Sequence, residues 1–529
     1  YYNYKTVNND IPMLLGVHNI GAYYSVQDKK VLDFSESVGN SQSAMNDPIR
    51  SADHRTTLEN VLGVRYLFMR IDQVGKQSMP YGFNYGGKAN GHISGFRDKK
   101  ARGVGNNTGT VLSKNNNALP LAYVQTKQVT NAQYQKMSPW QREQSMTYGA
   151  VTEGKATGVK TAKVKNRSKT ISYAVENLSH PLMNKRQVVL YRERNNFEKS
   201  ISVLPESQSK SQIQTFTPKV DKDQKYGSGV YPATPTLQQA LNKNRSIYED
   251  NATENESGLH SITSDASGNV MVYKLNFKNP SKVKNTELYL DLSGISIKAP
   301  TTRDVLSNKW YVSVFRNETR SKFKEFQQMR SAILNPNVKG YSLTAETADN
   351  SNNSVQLGVN NMSDYEKKSH TLINLGYSTK NRKGVVLRLT GVTGLNIKKA
   401  KLIAVPFGKS YTNRLQKLKK TKLNNLTIHS NKVTGTTHNS TNGILTTSIP
   451  YSKGWKLTVD GQAKATKVVN KGFVGAAVSA GHHKIVLTYH TPGLTLGKVA
   501  TIIGLLGLVA SGILFSGRFV EMKRKENRH

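Results

Sequence analysis

The sequence predicts a mainly β protein with an α/β N-terminal portion, built as β-sandwich or jelly-roll-like extracytoplasmic domains followed by one C-terminal transmembrane helix. Three observations carry this. Short runs of alternating apolar and polar residues recur between polar turns from about 155 to 408. The first 153 residues mix helical and strand signals. Near the end, Val499 to Phe515 carries no charge; as a helix it covers about 25 Å, near the minimum span of a bilayer. A chain of 529 residues suggests two or three folded units, since single domains usually run to about 100–200 residues.

Residues 1–153 read as a mixed α/β extracytoplasmic domain. "HRTTLENVLG" predicts a short helix and "VRYLFMR" a buried strand after the Gly63 break. Between Gly82 and Asn117 the Gly/Asn/Lys-rich composition predicts a long loop or a partly disordered arm. "SPWQREQSMTYGAV" predicts a helix with Ser138 as its cap and Pro139 at its first position.

Residues 155–408 read as a β-sandwich domain from "TISYAV", "RQVVLYR", "VMVYKLNF", "ELYLDL", "KWYVSVF", "VVLRLTG" and "KLIAVPF". A polar, turn-rich insertion occupies about 207–258. A basic linker helix is expected over 409–420 and a small β-domain over 421–491. In the latter, "YSKGWKLTVDGQ" predicts a hairpin turning at Asp460-Gly461. The transmembrane helix follows at 494–517 and a basic cytoplasmic tail at 518–529.

The tail holds Arg518, Lys523, Arg524, Lys525 and Arg528, whereas Val478 to Lys498 holds only Lys484 and Lys498. By the positive-inside rule the tail is cytoplasmic and the bulk extracytoplasmic. Ala500 with Gly504, and Gly507 with Ser511, place small residues four apart, which lets helices in lipid approach closely; such residues are common in any membrane helix. "YYNYKTVNND" has neither an initiator Met nor a signal-peptide pattern, so the chain reads as a fragment lacking an N-terminal part.

Lys and Arg total 75 against 34 acidic residues, a formal charge of +41, which favours polyanionic partners: nucleic acid, anionic lipid or an anionic wall polymer. The inferred topology argues against nucleic acid, and no recognition motif supports it. The chain has no cysteine, excluding disulfides, thiolate metal sites and cysteine nucleophiles.

Motifs with chemistry are few. HExxH, P-loop and GxSxG patterns are absent, and "GVGNNTG" is not GxGxxG. Asp221 and Asp223 form a DxD inside a lysine-studded linker, where the several oxygens of a hard-cation site are missing. His482 and His483 are adjacent, so on a strand they face opposite ways and cannot share a metal ion. Trp140, Trp310 and Trp455 could stack on sugars, yet Trp310 and Trp455 alternate like core residues. Asn-x-Ser/Thr triplets at Asn106, Asn166, Asn177, Asn251, Asn317 and Asn439 arise readily in an Asn/Ser/Thr-rich chain. No catalytic, cofactor-binding or metal-ligating residue is assigned.

The closing region, "IPYSKGWKLTVDGQ" and "GFVGAAVSAGHHKIVLTYHTPGLTLG" before a last apolar helix, resembles the C-terminal end of the YfhO family of bacterial multi-pass membrane proteins. Pro450, Tyr451, Gly454, Trp455, Val459, Asp460 and Gly461 in one hairpin make the match specific. "LLGVHNIGAYYS", "LENVLGVRYLF", "NNNALPLAYV" and "SPWQREQSM" extend it; the tract 207–258 has no counterpart.

The resemblance implies an extracytoplasmic portion of a polytopic glycosyltransferase that takes sugar from a polyprenyl-phosphate carrier and decorates teichoic or lipoteichoic acid. It places the catalytic acid in an early outer loop outside this chain. Its partners would be the lipid bilayer, the remaining transmembrane helices of the same protein and an anionic wall polymer. The other reading is a non-catalytic surface protein that grips such a polymer or anionic lipid.

Overall fold

The computed structural model describes residues 18–20, 29–40, 49, 52, 54–70, 78–85, 110–177, 259, 261–263, 271–298, 340–357, 367–390 and 394–527. "RQVVLYR", "KWYVSVF", the 207–258 tract, the Asp221/Asp223 pair, Trp310, Asn106, Asn251 and Asn317 lie outside them. The described part is strand-rich, with several sheets and one long C-terminal helix. It divides into two compact units, each assembled from three stretches of chain.

The larger unit comprises 1–119, 134–147 and 163–416. Its core lies between two antiparallel sheets. One orders the strands Asn350–Gln356, Tyr341–Thr347, Gly384–Thr390, Met271–Phe277 and Tyr173–Asn177. The other orders His370–Ser378, Thr286–Ser293, Lys399–Pro406 and Lys169–Ile171. Alternation puts Leu288, Leu290 and Leu292 of Thr286–Ser293 into this shared core, facing Leu343, Leu387 and Leu389 of the other sheet. Their neighbours Glu287 and Tyr289 point to the opposite face and are just as buried.

"TISYAV" reads as one strand, but the structure breaks it at Ser172. Lys169–Ile171 pairs with Lys399–Pro406, whereas Tyr173–Asn177 pairs with Met271–Phe277 in the other sheet. One short run thus stitches both layers, and its apolar positions, Ile171, Tyr173 and Val175, all contribute to the common core.

The loop expected from Gly82 to Asn117 also differs. Its described ends are strands, Phe83–Tyr85 and Thr110–Asn115, which join Tyr66–Arg70 in a three-stranded sheet. Leu67 and Phe83 supply its small apolar cluster, packed by Val64 and Met79. The reading missed it because the intervening Gly/Asn/Lys composition masked two short flanking strands.

Among the described residues the α-helices are Lys29–Ser37 (α1), Thr56–Val61 (α2), Asn131–Gln135 (α3), Pro139–Ser145 (α4), Lys409–Lys420 (α5) and Leu494–Glu526 (α6). The start of α4 is as the sequence predicts: Pro139 is its first residue, and the Gln141 amide oxygen accepts from both the N–H and the hydroxyl of Ser138. Helix α5 buries only Tyr411 and Leu415 and ends in Lys417, Lys419 and Lys420, cations suited to a helix C-terminus.

The second unit comprises 120–133, 148–162 and 417–529. Ala122–Gln125, Lys127–Thr130 and Ala150–Thr152, read from sequence as part of a domain 1–153, belong here to a seven-stranded sheet with Gly443–Pro450, Phe473–Val478, Lys467–Val469 and Lys160–Thr161. Val124 lies opposite Leu445, and Ala122 opposite Thr447. A five-stranded sheet orders Asn424–His429, Lys432–Asn439, Gly481–Tyr489, Trp455–Val459 and Gln462–Lys464. The two sheets close on one core that includes Val124, Leu445, Val474, Val433, Leu457, Ile485 and Leu487. The Trp455–Val459 hairpin turns at Asp460 and Gly461, whose φ angles of 52° and 82° suit the tight turn the Asp-Gly pair predicts.

Candidate functional site

Two places concentrate chemistry: a buried ionic network in the larger unit and the long helix of the second. In the network, Arg55 lies just before α2, Glu143 on α4, and Glu287 and Tyr289 on the strand Thr286–Ser293. Exposure is 2 % for Arg55 side chain and 0 % for that of Glu143; Glu287 and Tyr289 are 0 % exposed. Arg55 donates from Nε and Nη2 to Glu143 Oε2 at 3.1 and 2.9 Å, and from Nη2 to the Val38 carbonyl at 2.6 Å. The Tyr289 hydroxyl reaches Glu143 Oε1 at 2.5 Å and also Glu287 Oε1. Glu287 Oε2 accepts the Thr56 N–H at 2.9 Å, capping α2.

A phenol has one proton to give, and here it touches two carboxyls. If both were ionised, one oxygen pair would be left without a hydrogen. The consistent arrangement is a chain: protonated Glu287 donates to Tyr289, Tyr289 donates to Glu143, and ionised Glu143 pairs with Arg55. Burial, with the Glu143 charge next, raises Glu287 to about 7. Burial also raises Glu143. Burial opposes the charge of Arg55, but Glu143, Tyr289 and Glu287 together hold its pKa up.

A second buried cation stands close by. Arg382 donates from Nη1 to the Leu375 and Gly376 carbonyls, both at 2.9 Å, and from Nη2 to the Thr286 carbonyl at 3.0 Å. It thereby clamps the bulge where Leu375 and Gly376 together face Leu288. Burial lowers its pKa to about 10, against the pull of Asp349 and Glu287, so it keeps its charge at neutral pH. The network is sealed from solvent, and what it does chemically is hold a proton and lock α2 and α4 to the sheet.

The sequence-named residues are scattered. His482 stacks on His438 across the strand pair, with ring centroids 4.0 Å apart. His483 points the other way and bonds Asp460 through Nδ1 at 2.7 Å, a contact that raises the histidine and lowers the carboxyl. Trp140 is buried and donates from its indole nitrogen to Ser168 Oγ at 3.1 Å. Trp455 is half-buried at the margin of the second unit's core. Among the described residues no three His, Asp or Glu side chains gather as metal ligands. The Arg55–Glu143–Tyr289–Glu287 network escaped sequence reading; Glu287 opens "ELYLDL" at the same alternation as Asp291, so nothing local marks it as buried.

Helix α6 is the other feature. Leu494–Arg518 is apolar enough and long enough to cross a bilayer, and none of it is buried within the protein. Leu508, Ile513, Leu514 and Phe515 stand 66–76 % exposed. That much bare apolar surface on one helix has its natural solvent in lipid.

The family described as "Bacterial membrane protein YfhO" matches residues 2–501. The "Uncharacterized protein YfhO" of Bacillus subtilis (strain 168) is 27% identical over 173 residues, which make up 32% of this chain and 18% of that protein; the match thus spans under a fifth of the relative's length. Among solved structures, those of the mycobacterial arabinofuranosyltransferase AftD align at 14% and 15% identity with a TM-score of 0.15. They cover 32% of this chain and 13–14% of theirs, an overlap too loose to carry an argument.

Proposed function

The chain belongs to the YfhO family of bacterial membrane proteins, and from that premise we propose that it is the extracytoplasmic, acceptor-engaging portion of a polytopic, glycosyltransferase-like protein. In this reading the full protein transfers sugar from a polyprenyl-phosphate carrier to teichoic or lipoteichoic acid. The observation that carries it is the family match running from the first residues into α6. A charge of +41 supports a polyanionic acceptor. So does the stretch from Lys417 to Val520, where Asp460 is the lone acidic residue. We read each two-sheet core as a β-sandwich, α6 as one of a bundle with the remaining membrane helices, and the basic tail as cytoplasmic.

The test is genetic and chemical. Deleting the full-length gene and analysing purified teichoic and lipoteichoic acids by NMR should reveal lost glycosyl substituents, restored by complementation. Polymers with unchanged substitution in the deletion strain would overturn the proposal.

A further inference from the structure

We propose that one rim of the five-stranded sheet, formed by Ile428, Lys432, Lys453, Trp455, Lys456 and Tyr489, is a docking surface for anionic lipid headgroups of the leaflet that α6 enters. This rests on α6 spanning the membrane.

The connection between sheet and helix carries the argument. Trp455 and Tyr489 are register partners, with ring centroids 5.2 Å apart. The Tyr489 N–H donates to the Asn431 carbonyl at 2.7 Å, which draws the His429–Lys432 hairpin tip to the same rim. The His490 N–H then donates to the Gly454 carbonyl at 3.0 Å. A Cβ on Gly454 would lie 2.3 Å from the His490 carbonyl oxygen and 3.1 Å from Pro492 Cδ, so only glycine lets the chain leave the sheet so tightly. Pro492 is two residues from Leu494, where the apolar span begins, a chain distance of at most about 7 Å. With so short a tether, a membrane around α6 brings its headgroup layer to this rim.

The rim's chemistry suits that place. Lys432, Lys453 and Lys456 are exposed, Ile428 is 50 % exposed, and Lys498 sits in the first turns of α6. Trp and Tyr prefer the boundary between hydrocarbon and water, and lysines beside a membrane helix attract anionic lipid. Asp460 sits past the other end of the Trp455–Val459 strand, roughly 17 Å away at 3.3 Å per residue. The five-stranded sheet is thus basic and aromatic at its helix end and acidic only at the far one.

The chain has no cysteine, so single nitroxide labels can be introduced on the full chain reconstituted in phosphatidylcholine/phosphatidylglycerol vesicles. A label at Lys456→Cys should be relaxed strongly by a nickel-chelating headgroup lipid, whereas one at exposed Gln462→Cys should not. Equal relaxation at both sites, or none at Lys456→Cys, overturns the proposal. Replacing phosphatidylcholine by phosphatidylglycerol should raise the Tm of the unaltered chain and leave the Lys432→Glu/Lys453→Glu variant unmoved. An equal rise in both overturns the lipid assignment, as does protection of the Lys456→Cys label by soluble teichoic acid instead of lipid. Resistance to alkaline carbonate extraction, measured on the same samples, reports spanning separately; a chain that washes off fails at that earlier step.

Discussion

At the scale of single residues, the proton held between Glu287 and Tyr289 makes the larger unit's stability depend on pH. Glu287 sits at about 7 in the folded protein, above the ordinary carboxyl value of 4.5. The folded state therefore binds the proton more tightly than the unfolded state does. This contribution is fully present below the ordinary value, is lost as pH rises to about 7, and changes no further above it. Thermal unfolding followed from pH 4.5 to 8 should show that fall. Glu287→Gln replaces the acid's O–H by an amide donor to Tyr289 and should flatten the profile over the same interval. Glu143→Ala removes the partner of buried Arg55 and should cost about 3–5 kcal/mol, read as a lower urea midpoint at pH 6. Neither effect was legible in the sequence. Arg55, Glu143 and Glu287 are far apart along the chain, and nothing in local periodicity pairs a residue before one helix with a residue inside another.

At the scale of elements, what was legible had a local cause. The Ser138-Pro139 start of α4 and the Asp460-Gly461 turn follow from the conformations those residues favour. The alternation of Trp455, Leu457 and Val459 set one face of their strand inward: Leu457 and Val459 are buried, and Trp455, last in the row, reaches the core only at its margin. Leu457→Ala should therefore cost about 2–5 kcal/mol through lost burial and the cavity left behind, seen as a lower Tm of the full chain. Two kinds of feature escaped. "TISYAV" gave no sign of its break at Ser172, because both halves share one alternation. The pairing of Ala122–Gln125 with Gly443–Pro450 is non-local, and a hydrophobic pattern states which face is buried without stating against what.

At the scale of the whole molecule, the family and the membrane-length helix α6 were both readable, since a specific hairpin and an uncharged run survive without any knowledge of the fold. The orientation proposed for that helix is open to labelling: a cysteine replacing Ser479 should react with an impermeant maleimide on intact cells, and one replacing Asn527 only after lysis. The opposite pattern would reverse the topology. The seven-stranded sheet bears on how such a chain is made. Ala122–Gln125 waits for its strand partner, Gly443–Pro450, which is synthesised more than three hundred residues later and itself pairs onward with Phe473–Val478. Closing so long a loop is slow, and the edge residues Ala122 and Val124 stay uncovered meanwhile. If the chain is secreted from its N-terminus, the second unit can finish only as α6 reaches the translocon. Its assembly would then coincide with its anchoring, and a ribosome stalled before Gly443 would leave an aggregation-prone strand for envelope chaperones or proteases to clear.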